Sequence, residues 1–157
     1  MIHTAKQLKD KVKNLATGKS DVAQMLIRIF IMERFLERVS LSKYKNNFIL
    51  KGGMLVASIV GVDMRATMDI DTTVEALSLK EQDAQQIIEE ICNVPVEDGV
   101  SFRITSVKRI MEDFDYPGIR MMLEASLDRM KQSFKIDLST DDAITPQAME
   151  YEYKLMF

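Results

Sequence analysis

The chain has 157 residues, 46% of them hydrophobic and 29% charged, which is the composition of one globular domain and excludes a disordered chain. Its single cysteine, Cys92, excludes an internal disulfide, and because the first residues carry no signal-peptide pattern we expect a cytoplasmic protein. The most apolar run, Met25 to Met32, is interrupted by Arg28 and falls far short of the roughly 20 apolar residues of a membrane-spanning helix, so we expect no membrane partner.

The net charge of −3 is unevenly distributed along the chain. Residues 1–51 hold eleven Lys or Arg against four Asp or Glu, a charge of +7, whereas residues 52–157 hold ten against twenty, a charge of −10. A basic end beside an acidic region would help to hold a nucleic acid. The alternative is an ordinary solvated helix face. The lysines concerned are Lys6, Lys9, Lys11 and Lys13.

The first 45 residues read as a helical part of the chain. The pattern predicts a basic helix over Thr4 to Leu15, which Gly18 ends. Ser20 is then expected to be the N-cap of a second helix that runs to about Val39. Apolar residues recur at helical spacing on most sides of this second helix, so we expect most of it to be buried.

Residues 46–157 alternate between strand and helix patterns and are expected to form the sheet core. A short strand over Phe48 to Leu50 is followed by the turn Gly52-Gly53 and a short apolar helix over Met54 to Val60. A strand over Met68 to Val74 and a helix over Leu79 to Cys92 come next.

The remainder of the sheet core is predicted to contain a hairpin. Its strands are Val100 to Met111 and Ile119 to Leu127, joined by a turn at Tyr116-Pro117-Gly118, and a further strand covers residues 133–139. Hairpins outnumber βαβ units. We therefore predict a single α+β domain over residues 1–157, in which N-terminal helices pack on a mixed, largely antiparallel sheet.

Three aspartates on two of these strands are the candidate catalytic and metal-binding residues. Asp69 and Asp71 are two positions apart on one strand, so their side chains share a face and lie about 7 Å apart. Asp137 alternates with apolar residues in the same way on the strand 133–139. If the two strands are neighbours, the carboxylates converge on a site for a divalent cation. Two such cations would bridge a nucleotide's phosphates and activate an attacking hydroxyl.

The aspartate pair has three weaker interpretations. A calcium-binding EF-hand loop that starts at Asp69 needs Gly and Glu where this chain has Val74 and Lys80. Exposed aspartates on a half-buried strand remain the structural alternative, although Asp is a poor strand former. A metal-dependent Asp-x-Asp sugar transferase is a third alternative, which the small size of the chain disfavours.

The Lys51-Gly52-Gly53 turn lies one short helix before the aspartate pair. Glycine lets the backbone N–H groups at the start of a helix approach a phosphate closely, and Lys51 would add positive charge. Gly-Gly alone is a weak signal, because it more often only forms a turn. Next to a strand with an Asp-x-Asp pattern, Gly-Gly is a more specific indication of a phosphate-binding turn.

These residues resemble a known family. The run from Phe48 to Leu55 and the run from Gly61 to Asp71 are similar to the first motif of the AbiEii-type nucleotidyltransferase toxins, which belong to the DNA polymerase β-like nucleotidyltransferase superfamily. Residues 33–44 and 134–139 also resemble this family. The resemblance implies the toxin of a type IV toxin–antitoxin or abortive-infection system, with a cognate antitoxin as its partner. Such a toxin transfers a nucleotide from an NTP to an acceptor, in some members the end of a tRNA.

The resemblance also implies roles for individual positions. Asp69, Asp71 and Asp137 would bind Mg²⁺ or Mn²⁺, and Gly52 and Gly53 would contact the triphosphate. Arg65 would steady the bound phosphate or the Asp-x-Asp strand, and its alternative is a surface ion pair.

One departure from the family pattern changes the expected activity. Family members continue into a helical region with a Lys motif and a further Arg/Asp motif, and this chain ends before either. We therefore expect these 157 residues to bind metal and nucleotide but to be inactive as they stand. The alternative is a catalytically inactive nucleotidyltransferase fold that serves as a binding module for a partner protein or RNA.

Overall fold

The fold is taken from a computed structural model of the chain. The structure describes the backbone of residues 2–45, 48–51, 69–74, 81–111 and 117–139. Side chains are described for residues 2–45, 83–109 and 118–138.

The described segments contain three helices and five strands. In chain order they are α1 (Ala5–Ala16), α2 (Ser20–Leu41), β1 (Phe48–Lys51), β2 (Asp69–Val74), α3 (Glu81–Cys92), β3 (Val100–Met111), β4 (Pro117–Leu127) and β5 (Met130–Ser139).

The five strands form one sheet in the order β1-β2-β5-β4-β3. Only the β2–β5 pairing is parallel, and the β1–β2, β4–β5 and β3–β4 pairings are antiparallel. Helix α1 packs on α2, and α2 in turn contacts β5. The predicted α+β fold, with N-terminal helices on a mixed and largely antiparallel sheet, is therefore confirmed.

The first two helices start for different local reasons. Thr4 is the N-cap of α1 and forms a capping box, in which its hydroxyl accepts a hydrogen bond from the Gln7 backbone N–H at 3.1 Å. The prediction that Ser20 caps the second helix is wrong. The N-cap is Lys19, whose carbonyl already accepts the first helical hydrogen bond from the N–H of Ala23, so Ser20 lies inside the helix.

Two strands are longer than their apolar patterns indicate. Strand β3 has the predicted bounds, but β4 begins at Pro117 and β5 at Met130 rather than at residue 133. A two-residue turn joins β4 and β5, and Asp128 in this turn has a left-handed backbone with φ of 52°. The first residues of β5 after Met130 are polar, so the apolar pattern did not indicate where this strand begins. The predicted turn at Gly52-Gly53 and the short helix after it lie outside the described residues.

The core lies between the helices and one face of the sheet. Alternate side chains of β4 and β5 are buried on this face, and three aromatic rings from α2, β3 and β5 meet there with centroids 5.6 to 5.8 Å apart. The rings are those of Phe35, Phe102 and Phe134. The intervening residues of β4 and β5, which include Arg120 and Asp137, belong to the opposite face of the sheet. The helices thus leave that opposite face for the candidate site.

None of the three described helices is long and apolar enough to cross a membrane.

Candidate metal and nucleotide site

Strands β2 and β5 are neighbours, which is the condition on which the three-aspartate prediction depends. They pair in parallel, and the register places Asp71 opposite Asp137 and Asp69 opposite Lys135. Adjacent strands lie about 4.8 Å apart, so the backbones of Asp71 and Asp137 are close neighbours. The structure therefore brings together the two segments that carry the predicted carboxylates.

One register row crosses the whole sheet at this position. Lys51 of β1 is the partner of Asp71, and Arg120 of β4 is the partner of Asp137. Lys108 of β3 is in turn the partner of Arg120. We call these five residues the charged row: from β1 to β3 it reads basic, acidic, acidic, basic, basic.

The Asp137 side chain is held by Arg120. The Nε atom of Arg120 donates to Oδ1 of Asp137 at 2.9 Å, and its Nη2 atom donates to Oδ2 at 3.1 Å. The Asp137 side chain is 12% exposed and that of Arg120 is 31% exposed. This two-pronged geometry fixes the orientation of the carboxylate and neutralises its charge. Sequence reasoning missed Arg120, although the alternation of β4 already placed it on the face opposite the apolar residues.

The described side chains test only part of the predicted site. For Lys51, Asp69 and Asp71 the structure gives the backbone and register, and Gly52-Gly53 and Arg65 lie outside the described residues. Among side chains that are described, no three His, Cys, Asp or Glu residues are grouped closely enough to hold a metal ion. The donor set itself fits a hard divalent cation, because carboxylate oxygens are the ligands that Mg²⁺ and Mn²⁺ prefer. The metal assignment of the three aspartates stays a prediction.

A second charged cluster, which the sequence analysis did not find, lies buried between α2 and the start of β3. Arg38 donates to both oxygens of Asp98, from Nη1 at 2.8 Å and from Nη2 at 2.9 Å. Arg38 also donates to the carbonyl of Val100 at 2.7 Å and lies 4.7 Å from the centre of the Phe102 ring. Arg34 contributes a second positive charge 3.9 Å from Asp98. The only sequence signal was a pair of arginines four residues apart, each preceded by a glutamate, in the second half of a helix with a wide apolar surface.

The pKa of Asp98 reflects this environment. Burial alone would raise the pKa of its carboxyl group, but hydrogen bonds from Arg38 and the Val100 N–H, with the charges of Arg38 and Arg34, lower it below the ordinary value. Asp98 is therefore an ionised, fully paired group that joins α2 to the sheet rather than a general acid.

Cys92 is not arranged as a nucleophile. It lies at the end of α3 and is half-buried, and burial raises the pKa of its thiol to about 11. At neutral pH the thiol is protonated, and only the thiolate is reactive. Cys92 is therefore a small residue that packs against the core.

The fold belongs to a known structural class. A crystal structure of a proposed nucleotidyltransferase from Helicobacter pylori superposes on this chain with a TM-score of 0.50 and 17% identity, covering 78% of this chain and 48% of that one. The structure of JHP933 from Helicobacter pylori matches with a TM-score of 0.49 and 17% identity, covering 78% of this chain and 47% of that one. The chain thus shares its fold with the first of these proteins. It spans about half the length of both.

Sequence comparison identifies the family. The family described as the nucleotidyl transferase AbiEii toxin of type IV toxin–antitoxin systems matches residues 34–157. This chain therefore belongs to the AbiEii nucleotidyltransferase toxin family, as the resemblance predicted. No curated protein matches the sequence significantly.

Proposed function

We propose that this chain forms the metal-binding and nucleotide-binding part of a toxin that transfers a nucleotide from an NTP to an acceptor, with a tRNA as the acceptor. Membership of the AbiEii family supports nucleotidyl transfer. The observation that carries the assignment of the site is the parallel register of β2 and β5, in which Asp71 is the partner of Asp137.

The proposed roles follow from position and chemistry. Asp69, Asp71 and Asp137 hold Mg²⁺ or Mn²⁺ on the face of the sheet opposite the one on which α2 packs. Lys51, which ends β1 as the register partner of Asp71, adds positive charge beside Gly52 and Gly53, where the phosphates of the NTP bind. A bound divalent cation supplies neutralisation of the phosphate charge and activation of the attacking hydroxyl. Arg65 steadies the phosphate or the Asp-x-Asp strand.

The biological setting follows from the family. A type IV toxin–antitoxin family implies a cognate antitoxin as the partner and a nucleotide as the substrate. We place the protein in the cytoplasm, because its one cysteine is free and a reducing compartment suits such a chain. A role in abortive infection is consistent with this setting.

Metal binding provides the direct test of the site. Wild-type protein is titrated with Mn²⁺ while free Mn²⁺ is counted by electron paramagnetic resonance. Asp71→Ala should weaken Mn²⁺ binding by at least roughly 10- to 100-fold, the range seen when groups that support a metal site are removed. Asp69→Ala should also weaken Mn²⁺ binding. Without metal, Asp71→Ala should raise the melting temperature, because it removes a like charge beside Asp137.

The matched control for this titration is Asp10→Ala. Asp10 is an exposed carboxylate on α1, so its removal changes the net charge equally without touching β2 or β5. Mn²⁺ affinity should be the same in this variant as in the wild type. Equal binding by the wild type and the Asp71 variant would contradict the proposed function.

A second candidate function, a module that binds RNA without catalysis, is favoured by the surface of α1. Leu8 and Val12 are buried against the rest of the protein, whereas Lys6, Lys9 and Lys13 are exposed at helical spacing. Such a row of lysines carries the positive charge that attracts a phosphate backbone, although it carries no sequence information.

This alternative predicts a specific salt effect. Replacing Lys6, Lys9 and Lys13 together by glutamate should lower RNA affinity, and should reduce the slope of log affinity against log salt by about 2, as expected when three phosphate contacts are lost. The measurement is fluorescence anisotropy with a labelled single-stranded RNA over a range of NaCl concentrations. RNA binding that is lost in Asp71→Ala but kept in the lysine variant would favour the enzyme instead.

A further inference from the structure

Arg120 is one of two residues on the charged row, the other being Lys108, that the proposed function leaves unexplained. Its guanidinium occupies both oxygens of Asp137, one of the three carboxylates proposed to hold the metal. Each oxygen receives one N–H, so a cation that arrives at Asp137 has to share the carboxylate with a second positive group. Arg120 therefore affects how a metal ion binds to Asp137 as well as the stability of the sheet.

Repulsion between neighbouring carboxylates gives a reason for this arrangement. Asp71 and Asp137 are register partners on adjacent strands, and like charges in such positions destabilise a sheet. Arg120 lies on the other side of Asp137 and supplies the opposite charge. In the protein without metal, the Arg120 guanidinium thus offsets the negative charge of Asp137, as a bound cation does in the protein with metal.

From this geometry we propose that Arg120 is an internal counter-ion for Asp137, which bound metal displaces and which then turns to the phosphate chain of the nucleotide. The inference rests on the proposed function. A guanidinium is planar and matches two phosphate oxygens with two parallel N–H groups, which suits it to both partners. Its side chain is 31% exposed, so the described residues do not enclose it. Arg120 thus binds Asp137 in the protein without metal and the phosphate chain in the protein with metal.

A second cross-strand pair on the same sheet provides a matched comparison. Arg103 of β3 and Glu124 of β4 are register partners, and Arg103 donates to the Glu124 carboxylate from Nε at 3.1 Å, with Nη2 at 2.9 Å from the same oxygen. This pair has the same chemistry, but Glu124 is not next to a proposed metal ligand. If Arg120 only stabilises the sheet, removal of either arginine should have the same consequences.

The test measures two affinities in the whole chain. The first is that of Mn²⁺ alone, and the second is that of tripolyphosphate in the presence of Mn²⁺, which presents the phosphate chain of an NTP without a base. Arg120→Met should bind Mn²⁺ about three- to tenfold more tightly, because a competing positive charge is gone. The same variant should bind tripolyphosphate about tenfold more weakly, because a charge-assisted contact is lost. Arg103→Met should change neither affinity.

The conservative variant keeps the test open if Arg120→Met does not fold. Arg120→Lys retains the charge but loses the two-pronged geometry, so its Mn²⁺ affinity should match the wild type while its tripolyphosphate affinity falls.

The outcomes separate the inference from the function it rests on. If the wild type does not bind Mn²⁺, the proposed metal site falls and the inference falls with it. If the wild type binds both ligands but Arg120→Met binds Mn²⁺ no more tightly, or tripolyphosphate no more weakly, only the inference is overturned. If the wild type binds Mn²⁺ but no tripolyphosphate, the proposed nucleotide site falls together with the inference. Equal effects of Arg120→Met and Arg103→Met would likewise reduce Arg120 to a sheet-stabilising residue.

Discussion

Replacement of Asp98 by alanine should lower the free energy of unfolding by about 3–5 kcal/mol, the range for a buried ion pair that loses one partner. Asp98 is fully buried and accepts two hydrogen bonds from Arg38, whose side chain is only 3% exposed. Without the carboxylate, the guanidinium of Arg38 keeps its positive charge in the interior with no opposite charge beside it, only two backbone carbonyls and the Phe102 ring among the described residues. Urea unfolding followed by circular dichroism measures the loss.

Two further variants separate the cause from general disruption. Glu124→Gln breaks an ion pair in which Arg103 is 66% exposed, and should cost less than about 1 kcal/mol. The double variant Arg38→Met with Asp98→Leu removes both buried charges and should recover most of the stability lost in Asp98→Ala. If the double variant is no more stable than Asp98→Ala, an unpaired buried charge is not the cause.

The Arg38–Asp98 pair makes stability depend on pH in a defined direction. The pKa of Asp98 is lowered in the folded protein, so the unfolded chain takes up a proton at this site more readily than the folded chain. The contribution of Asp98 to stability is therefore complete above its unfolded-state pKa and is lost as pH falls through its lower folded-state pKa. In Asp98→Asn this part of the acid dependence should be absent.

The sequence predicted elements best where the signal is local. The bounds of β3 follow from alternation, and the start of α1 was predicted to within one residue, at Thr4 where the helix begins at Ala5. The end of β4 was also predicted, at Leu127, because apolar alternation continues up to the turn. The beginning of β5 was missed, because its first residues are polar and only pairing with β4 makes them a strand.

The parts of the site that could not be predicted depend on contacts between distant residues. Asp69, Asp71 and Asp137 are recognisable from alternation alone, but whether β2 and β5 are neighbours is a property of the sheet order. Arg120 contacts a residue seventeen positions away, and only the β4–β5 register determines that this residue is Asp137.

The buried pair was missed for the same reason. Arg38 and Asp98 are sixty positions apart, so no local pattern links them. An arginine in an apolar helix is compatible with a long side chain that reaches solvent, and the sequence does not tell that case from a buried ion pair.

Phe35→Ala is the other substitution from which we expect a large loss, about 3–5 kcal/mol of unfolding free energy. Phe35 is 1% exposed and packs edge-on against two rings, Phe102 of β3 at 5.6 Å and Phe134 of β5 at 5.8 Å. Truncation removes the only ring that α2 contributes to this cluster and leaves a cavity between helix and sheet. Thermal and urea unfolding of the variant measure the loss, and Leu15→Ala, at a residue 56% exposed on α1, should be nearly neutral.

Phe35→Ala also tests whether the core and the site are separable. Phe134 lies on the face of β5 that α2 covers, whereas Asp137, three positions further along the same strand, belongs to the opposite face. The cavity therefore opens on the side of the sheet away from the charged row, and the β2–β5 backbone pairing that brings Asp71 next to Asp137 is not touched directly. At a temperature where the variant is still folded, its Mn²⁺ affinity should be within about twofold of the wild type, because sites more than about 7–10 Å apart act nearly independently. A large fall in Mn²⁺ affinity in the folded variant would mean that helix α2 sets the position of β5, and with it the spacing of the carboxylates.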